Sequence, residues 1–308
     1  MTILLTGASG FLGSRILAEL RPGHPVTTLG RQTTGPCADC PHISCDLAEQ
    51  VPELPGQPFE VVINSAGKAH SVPRNAQELA DYERVNVQGT GRLLLALEQR
   101  PALPAAFVHI STVLVYGRPE GQRLDEQTTL DAQDAYGPSK VRAEAVVREW
   151  GRRMGVRTTI LRLPLVVAER PNGNLAAMQN AIRRGYYVRI GDGSARRSMV
   201  RADDVAAVLL RAAAVGGTFN LTDGYHPSVR ELEDAIARQV GRQRIPAVPL
   251  GLARQVARVG DGINAVVGRR FPLDSIALQK LTGSLTFSDD AARQQFNWHP
   301  RPVLDLFQ

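Results

Sequence analysis

Lysine is almost missing from this 308-residue chain. Three of its 36 basic residues are lysines (Lys68, Lys140 and Lys280), and the other 33 are arginines. Aromatic residues are few as well, at 5%. The arginines are scattered in single positions and short pairs such as Arg183-Arg184 and Arg196-Arg197. A net charge of +6 without a long basic block interleaved with aromatics is not a nucleic-acid footprint, so no nucleic-acid partner is expected. Nor does any run approach the ~18 uncharged apolar residues of a membrane span, which argues against stable membrane insertion. Residues 1–7 lack the basic start and long apolar stretch of a signal peptide, so a cytoplasmic location is expected. Cysteine occurs three times, and Cys37, Cys40 and Cys45 read with His42 as C-x-x-C-x-H-x-x-C. Four ligands within nine residues leave little loop to wrap zinc, and Cys45 falls in a short apolar strand, so no metal is expected. A reducing compartment argues against a disulfide.

What is present is an alternation. Hydrophobic residues make up 43%, enough for a sizeable core. Short, nearly continuous apolar runs at 3–6, 26–29, 43–45, 61–64, 106–111 and 157–163 read as strands buried on both faces. Amphipathic stretches at 11–20, 80–98 and 136–154 read as the helices between them. This pattern predicts an α/β fold, a doubly wound parallel Rossmann sheet over residues 1–168. A helix at 200–214 and a strand at 218–221 lie in a segment, 200–224, that returns to that sheet. A smaller C-terminal substrate-binding domain takes 169–199 and 225–308. Within it, Ser228 is a plausible N-cap for a helix at 228–240, with Glu231 three residues on. The stretch 250–267 has apolar residues at helical spacing, which suits a core-facing helix or a membrane surface.

Gly7-x-x-Gly10-x-x-Gly13 sits between the first strand and the first helix. Glycines there permit a tight turn and let a pyrophosphate approach the helix N-terminus, so the segment predicts a nicotinamide dinucleotide site. The second strand ends Leu29-Gly30-Arg31 and lacks the acid that would hold the ribose 2′-hydroxyl of NAD. Arg31, with help from Arg15, suits a 2′-phosphate. NADP(H) is favoured and NAD(H) is the alternative. Asp46-Leu47, after the third strand, fall near the adenine, unless Asp46 merely caps a turn.

Where arginine serves almost everywhere, a retained lysine marks chemistry that arginine cannot do. Tyr136 and Lys140 are four apart and share a helical face. A nearby ammonium favours tyrosinate, so the phenol can exchange protons with a substrate hydroxyl. Ser111 and Thr112 emerge at a strand's carboxyl end, where open α/β sheets bind ligands.

Together these motifs resemble the extended short-chain dehydrogenase/reductases of the nucleotide-sugar epimerase/dehydratase family. The matching residues are Thr6 to Gly13, Asn64 to Gly67, Val85-Asn86-Val87 with Gly89-Thr90, Ser111-Thr112 with Val115-Tyr116-Gly117, and the Tyr136/Lys140 pair. Further on come Arg162-Leu163-Pro164, Arg197 to Val200 with Asp203 to Ala206, and Phe296 to Pro300, where Asn297 replaces the family's glycine.

The resemblance implies roles for individual residues. Tyr136 is the general acid/base, and Lys140 tunes it and holds the nicotinamide ribose. Thr112 supplies the Ser/Thr hydroxyl, with Ser111 as its possible substitute. Gly7, Ser9, Gly10, Phe11, Leu12, Gly13, Ser65, Ala66, Gly67, Asn86, Leu163 and Pro164 line the cofactor, and Asn86 also braces its helix against the fourth strand. On the substrate side stand Lys68 and His70 near the sugar, and Asn174 and Leu175 in the substrate loop. Tyr187, Val188 and Ile190 stand at the nucleobase, and Arg197 at the diphosphate. The substrate implied is a nucleotide-diphosphate sugar, carrying UDP or dTDP, handled by a homodimer.

Dehydration at C5/C6 is disfavoured, because Val113-Leu114 stand where the family's dehydratases carry Asp-Glu. The favoured reaction is 4-keto reduction by NADPH. The alternatives are an NAD-dependent 4-epimerase and a non-catalytic NADP(H)-sensing binding protein on the same fold.

Overall fold

The computed structural model describes residues 1–31, 39–68, 75–267 and 274–308. Cys37 and His70 lie outside them. In chain order the strands are β1 (Ile3–Thr6), β2 (Val26–Gly30), β3 (His42–Ser44), β4 (Val61–Asn64), β5 (Ala106–Thr112), β6 (Gly121–Leu124) and β7 (Arg157–Leu163). They continue as β8 (Leu165–Val167), β9 (Arg189–Ile190), β10 (Met199–Arg201), β11 (Gly217–Asn220), β12 (Ala247–Val248) and β13 (Leu285–Phe287). The helices are α1 (Phe11–Leu20), α2 (Ala76–Tyr82), α3 (Gly89–Glu98), α4 (Gly137–Met154) and α5 (Gly173–Arg184). After these come α6 (Ala202–Val215), α7 (Val229–Gln239), α8 (Leu250–Val267), α9 (Ser275–Thr282) and α10 (Asp290–Phe296).

Seven strands form one parallel sheet in the order β11-β7-β5-β4-β1-β2-β3. The chain winds outward from β1 to β3, then returns to β4 on the other side of β1. That reversal opens a crevice at the carboxyl ends of β1 and β4, where such sheets bind ligands. Side-chain alternation splits the apolar strands between two cores. Ile3, Leu5 and Ile63 face α1 and α6 through Ile16, Leu17, Val205 and Leu209. Leu4, Val62 and Phe107 face α3 and α4 through Leu93, Leu97, Val147 and Trp150. The remaining strands pair in twos: β8 with β10, β9 with β12, and β6 with β13.

A third core joins α5, α7 and the C-terminus through Leu175, Ile182, Ile236 and Phe307. Helix α7 starts with a capping box, Ser228 Oγ accepting from Glu231 N while the Glu231 carboxylate accepts from Ser228 N. Ser228→Ala is expected to cost about 1 kcal/mol, read as a lower urea midpoint. In α8 the small Ala253 and Ala257 face the core, while Leu252, Val256, Val259 and Ile263 stand exposed. Asn297 caps α10 at φ +57°, the left-handed region that glycine favours and asparagine tolerates, which accounts for its place there.

One expected element is split. The helix read over 80–98 is α2, a π-helical stretch Glu83–Gln88, and α3. The π-helical stretch carries Asn86, fully buried, whose Oδ1 accepts from Lys68 N at 2.8 Å and whose Nδ2 donates to Ser139 Oγ at 2.9 Å. Asn86 thus braces the helix against the chain leaving β4, as expected.

Candidate active site

At the crevice, β1 runs into Gly7 at φ +71°. A Cβ on Gly7 would stand 2.7 Å from Ala66 N, and one on Gly13 would stand 2.0 Å from Gly7 O. Only glycine permits this turn to press against the chain leaving β4. Helix α1 begins at Gly10 with no side-chain cap and no acid in its first turn. Its N–H groups and dipole are therefore free for an anion. Ser9 is exposed, and Phe11 and Leu12 are half-buried. Ser65, Ala66 and Gly67 leave β4 alongside, with Ala66 N donating to Thr6 Oγ1 at 3.0 Å. This cradle fits a dinucleotide's pyrophosphate.

Arg31 directly follows β2, its side chain 76% exposed and Nη1 4.0 Å from the Asp46 carboxylate. Asp46 also accepts from Ala48 N at 2.9 Å, so it caps a turn while standing beside Arg31. Leu47 O accepts from Arg92 at 3.0 Å. Arg15 pairs with Asp203 of α6 at 3.6 Å instead of joining Arg31.

Tyr136 stands at the N-cap of α4 and Lys140 in its first turn, while Thr112 and Leu163 pair at the carboxyl ends of β5 and β7, with Pro164 directly following. The Tyr136 ring lies 5.9 Å from that of Tyr82. Burial pushes the Tyr136 phenol above its ordinary value, and Tyr82 and Asp134 add to the rise. This corrects the expectation that Lys140 would favour tyrosinate. Lys140 is buried, its Nζ donating to Ile110 O at 2.7 Å and lying 3.1 Å from His109 Nε2. Burial pushes Lys140 down to about 8, against the opposing pull of Glu144.

Thr112 Oγ1 accepts from Leu114 N at 3.2 Å and so caps the 3-10 turn Val113–Tyr116 at the mouth of the crevice. Ser111 is different. Its hydroxyl donates to Glu144 at 2.5 Å inside the protein, because the strand's alternation turns it away from its neighbour's side. Ser111 is therefore not a substitute hydroxyl for the site. Glu144 is the centre of a buried network. It takes two bonds from Arg162, at 3.1 and 2.8 Å, and Arg162 donates to Tyr116 Oη at 3.0 Å. Arg162 and Ser111 hold the Glu144 carboxyl below its ordinary value despite burial.

On the substrate side, Lys68 is engaged by Asp81 at 2.9 Å and by Glu78 O, and sits 5.2 Å over the Tyr82 ring. Asn174 is exposed in the first turn of α5, and Leu175 is buried in the third core. Tyr187 Oη donates to Glu233 at 2.8 Å, Val188 is exposed, and Ile190 packs against α8. Arg197 donates to the carbonyls of Lys280 and Gly283. No carboxylate among the described residues pairs with it, and burial pushes it below its ordinary value.

No group of three His, Cys, Asp or Glu side chains converges on a metal-sized site among the described residues. There, His42 has both ring nitrogens within hydrogen-bond reach of Thr28 and Gly30. No helix among them is long and apolar enough to cross a membrane.

The family model described as NAD dependent epimerase/dehydratase family matches residues 3–221. The chain belongs to that family. It is 26% identical over 295 residues to an N-acetyl-alpha-D-glucosaminyl-diphospho-ditrans,octacis-undecaprenol 4-epimerase of Escherichia coli O157:H7, covering 92% of this chain and 86% of that one. It is 27% identical over 255 residues to a GDP-6-deoxy-D-mannose reductase of Pseudomonas aeruginosa, covering 76% and 79%. In fold it is similar to a UDP-glucose 4-epimerase of Thermotoga maritima, with TM-score 0.76 and 21% identity over 100% of this chain and 96% of that one. The chain is thus an NAD(P)-dependent enzyme of a family of nucleotide-sugar epimerases and reductases.

Sequence reasoning missed His109, Glu144 and Tyr82 around the Tyr136/Lys140 pair, and gave Asn64 no role of its own although it opens a matching motif. A histidine inside the apolar run Phe107-Val108-His109-Ile110, and an asparagine ending β4, were the available signals.

Proposed function

We propose that this family member reduces the 4-keto group of a diphosphate-linked sugar with NADPH. The observation that carries the reading is the end of β2, where Arg31 stands and no acid occurs from Gly30 to Ala38. Bound NADPH supplies the hydride. Tyr136, held as a phenol by its surroundings, gives its proton to the C4 oxygen as charge develops there. Thr112 orients that oxygen by hydrogen bonding, and Lys140 holds the nicotinamide ribose. Arg197 and Asn174 hold the diphosphate of a UDP or dTDP sugar, with Tyr187, Val188 and Ile190 at its base. Lys68 reaches the sugar only by leaving Asp81. Residues 169–199 and 225–308 form the substrate half. The exposed Leu95 of α3 and the neighbouring face of α4 support a homodimer through these helices, which light scattering checks.

An NAD-dependent 4-epimerase is the second reading. It is favoured by the Asp46 carboxylate beside Arg31, which partly compensates the charge meant for a 2′-phosphate.

Cofactor released on denaturing fresh protein, identified by mass spectrometry, separates the two. Tightly held stoichiometric NAD supports the epimerase. Little retained cofactor, with NADPH bound more tightly than NADH, supports the reductase. Arg31→Ala is expected to weaken NADPH by roughly 10- to 100-fold and leave NADH nearly unchanged, as titration calorimetry measures.

A further inference from the structure

Helix α8 carries its side chains the wrong way round for a helix that only fills a core. The residues it turns inward are small: Ala253 and Ala257 are buried with Leu278 of α9, and Gly260 is buried as well. The larger ones stay out. Leu252 is 52% and Val259 63% exposed, and Val256 and Ile263 are exposed with them. These four recur at i, i+4, i+7 and i+11, so at about 100° per residue they form one row, about 60° wide, along three turns. On α9, which packs against α8, Ile276 and Leu281 are exposed too. A lone exposed leucine is ordinary, but a contiguous row marks an interaction surface.

Charge selects what covers it. From Ala235 to Gly260 the chain holds five arginines and no aspartate or glutamate. Arg254 and Arg258 stand exposed on α8 itself. Arg238, Arg242 and Arg244 line, with Arg189, a cleft of about 450 Å³. The cleft's carboxylate, Asp234, is taken by Arg189 and Arg230. Cleft and helix share a support in the β9–β12 pair: Arg189 of β9 lines the cleft, while Ile190 of β9 and Val248 of β12 pack against α8. The acids that follow are engaged, Asp261 accepting from Ser275 and Asp274 capping α9.

We propose that α8 and the arginine cleft form a docking surface for an anionic lipid bilayer. The row of Leu252, Val256, Val259 and Ile263 seats at the headgroup boundary, and the arginines meet lipid phosphates. An apolar face combined with a basic polar face is the design of a helix that lies on a membrane and does not cross it. A second copy of this chain suits the surface less, because pairing row to row sets five arginines against five with no carboxylate in either segment. A protein partner suits it less as well, because α8 has no aromatic or methionine side chain of the kind enriched at protein interfaces.

Sedimentation of the full chain with sucrose-loaded vesicles tests this. Vesicles of phosphatidylglycerol and phosphatidylcholine in equal parts are expected to carry the protein down at about 0.05 M salt, and phosphatidylcholine alone is not. About 0.5 M salt is expected to weaken the binding by tenfold or more. Leu252→Ser/Val259→Ser changes two side chains that stand more than half exposed, so the fold is expected to keep its circular dichroism and thermal midpoint. It is expected to weaken binding to the anionic vesicles by roughly 10- to 100-fold. Arg254→Gln/Arg258→Gln is expected to weaken it by roughly 10- to 30-fold, about fivefold for each charge. No sedimentation with the anionic vesicles, equal sedimentation with phosphatidylcholine, or unchanged binding in Leu252→Ser/Val259→Ser overturns the proposal. Light scattering without vesicles reads the competing occupant: a smaller assembly in Leu252→Ser/Val259→Ser than in wild type assigns the face to a second copy and overturns it too. The wild-type measurements need no variant. None of these readouts depends on turnover, so failure to reduce any 4-keto sugar counts against the proposed reaction and leaves this inference standing.

Discussion

Tyr136→Phe is expected to lower kcat by about 10²–10⁴-fold on a 4-keto nucleotide sugar, with NADPH binding within a few-fold of wild type. The substitution removes one oxygen and keeps the ring that packs against Tyr82 at 5.9 Å. What is lost is the proton held ready for the C4 oxygen. Burial, Tyr82 and Asp134 all disfavour tyrosinate, so the group arrives protonated, as a reductase needs. Steady-state kinetics with a parallel NADPH titration checks the split. Unaltered turnover in Tyr136→Phe assigns the proton to another group, and it is also what a non-catalytic NADP(H)-binding protein on this fold predicts.

Glu144→Ala is expected to destabilise the fold by about 3–5 kcal/mol, read as a lower urea midpoint. Arg162 is 2% exposed, and Glu144 supplies its only carboxylate among the described residues. Its loss strands a buried guanidinium with Tyr116 Oη as its remaining hydrogen-bond partner among the described residues, at 3.0 Å. It also orphans the Ser111 hydroxyl. Replacing Glu144 and Arg162 together by leucine is expected to be milder than Glu144→Ala alone, because no unpaired charge remains. The pH dependence has a definite sign. The folded state holds Glu144 below the ordinary 4.5, so its stabilisation is complete above that value and is lost as pH falls through the folded-state value. Glu144→Gln is expected to flatten that acid limb.

Much of this architecture was legible in the sequence. Ile3–Thr6, Phe11–Leu20, Val61–Asn64 and Arg157–Leu163 are the elements read from apolar runs and helical spacing, residue for residue. Their patterns are strong because both sheet faces are buried. The two- and three-residue strands β8, β9, β10, β12 and β13 fall below the length at which alternation can be recognised. The π-helical stretch was hidden for another reason. It is shaped by the buried side chain of Asn86 bonding across to Lys68 and Ser139, which no local periodicity records.

In the site, Lys140 bonds Ile110 O near the end of β5, and the glycine turn presses on the chain leaving β4. Ser111 does not join them, because its hydroxyl is captured by a glutamate 33 residues away. The Tyr136 phenol was misjudged because the four-residue spacing to Lys140 says nothing of burial. His109 escaped notice because its importance lies in a pairing between β5 and α4, visible only once Asn64 and Thr90 are seen on its far side.

The central claim is net hydride transfer to a sugar's C4, and isotope tracing tests it most directly. The protein is incubated with NADPH deuterated at C4 of the nicotinamide and a UDP-linked 4-keto-6-deoxy sugar, and the product is read by NMR. Deuterium at sugar C4 with one NADPH consumed per product is the expected result. A C4 epimer formed from a UDP-sugar without NADPH consumption and without deuterium uptake contradicts it and assigns the chain to epimerisation.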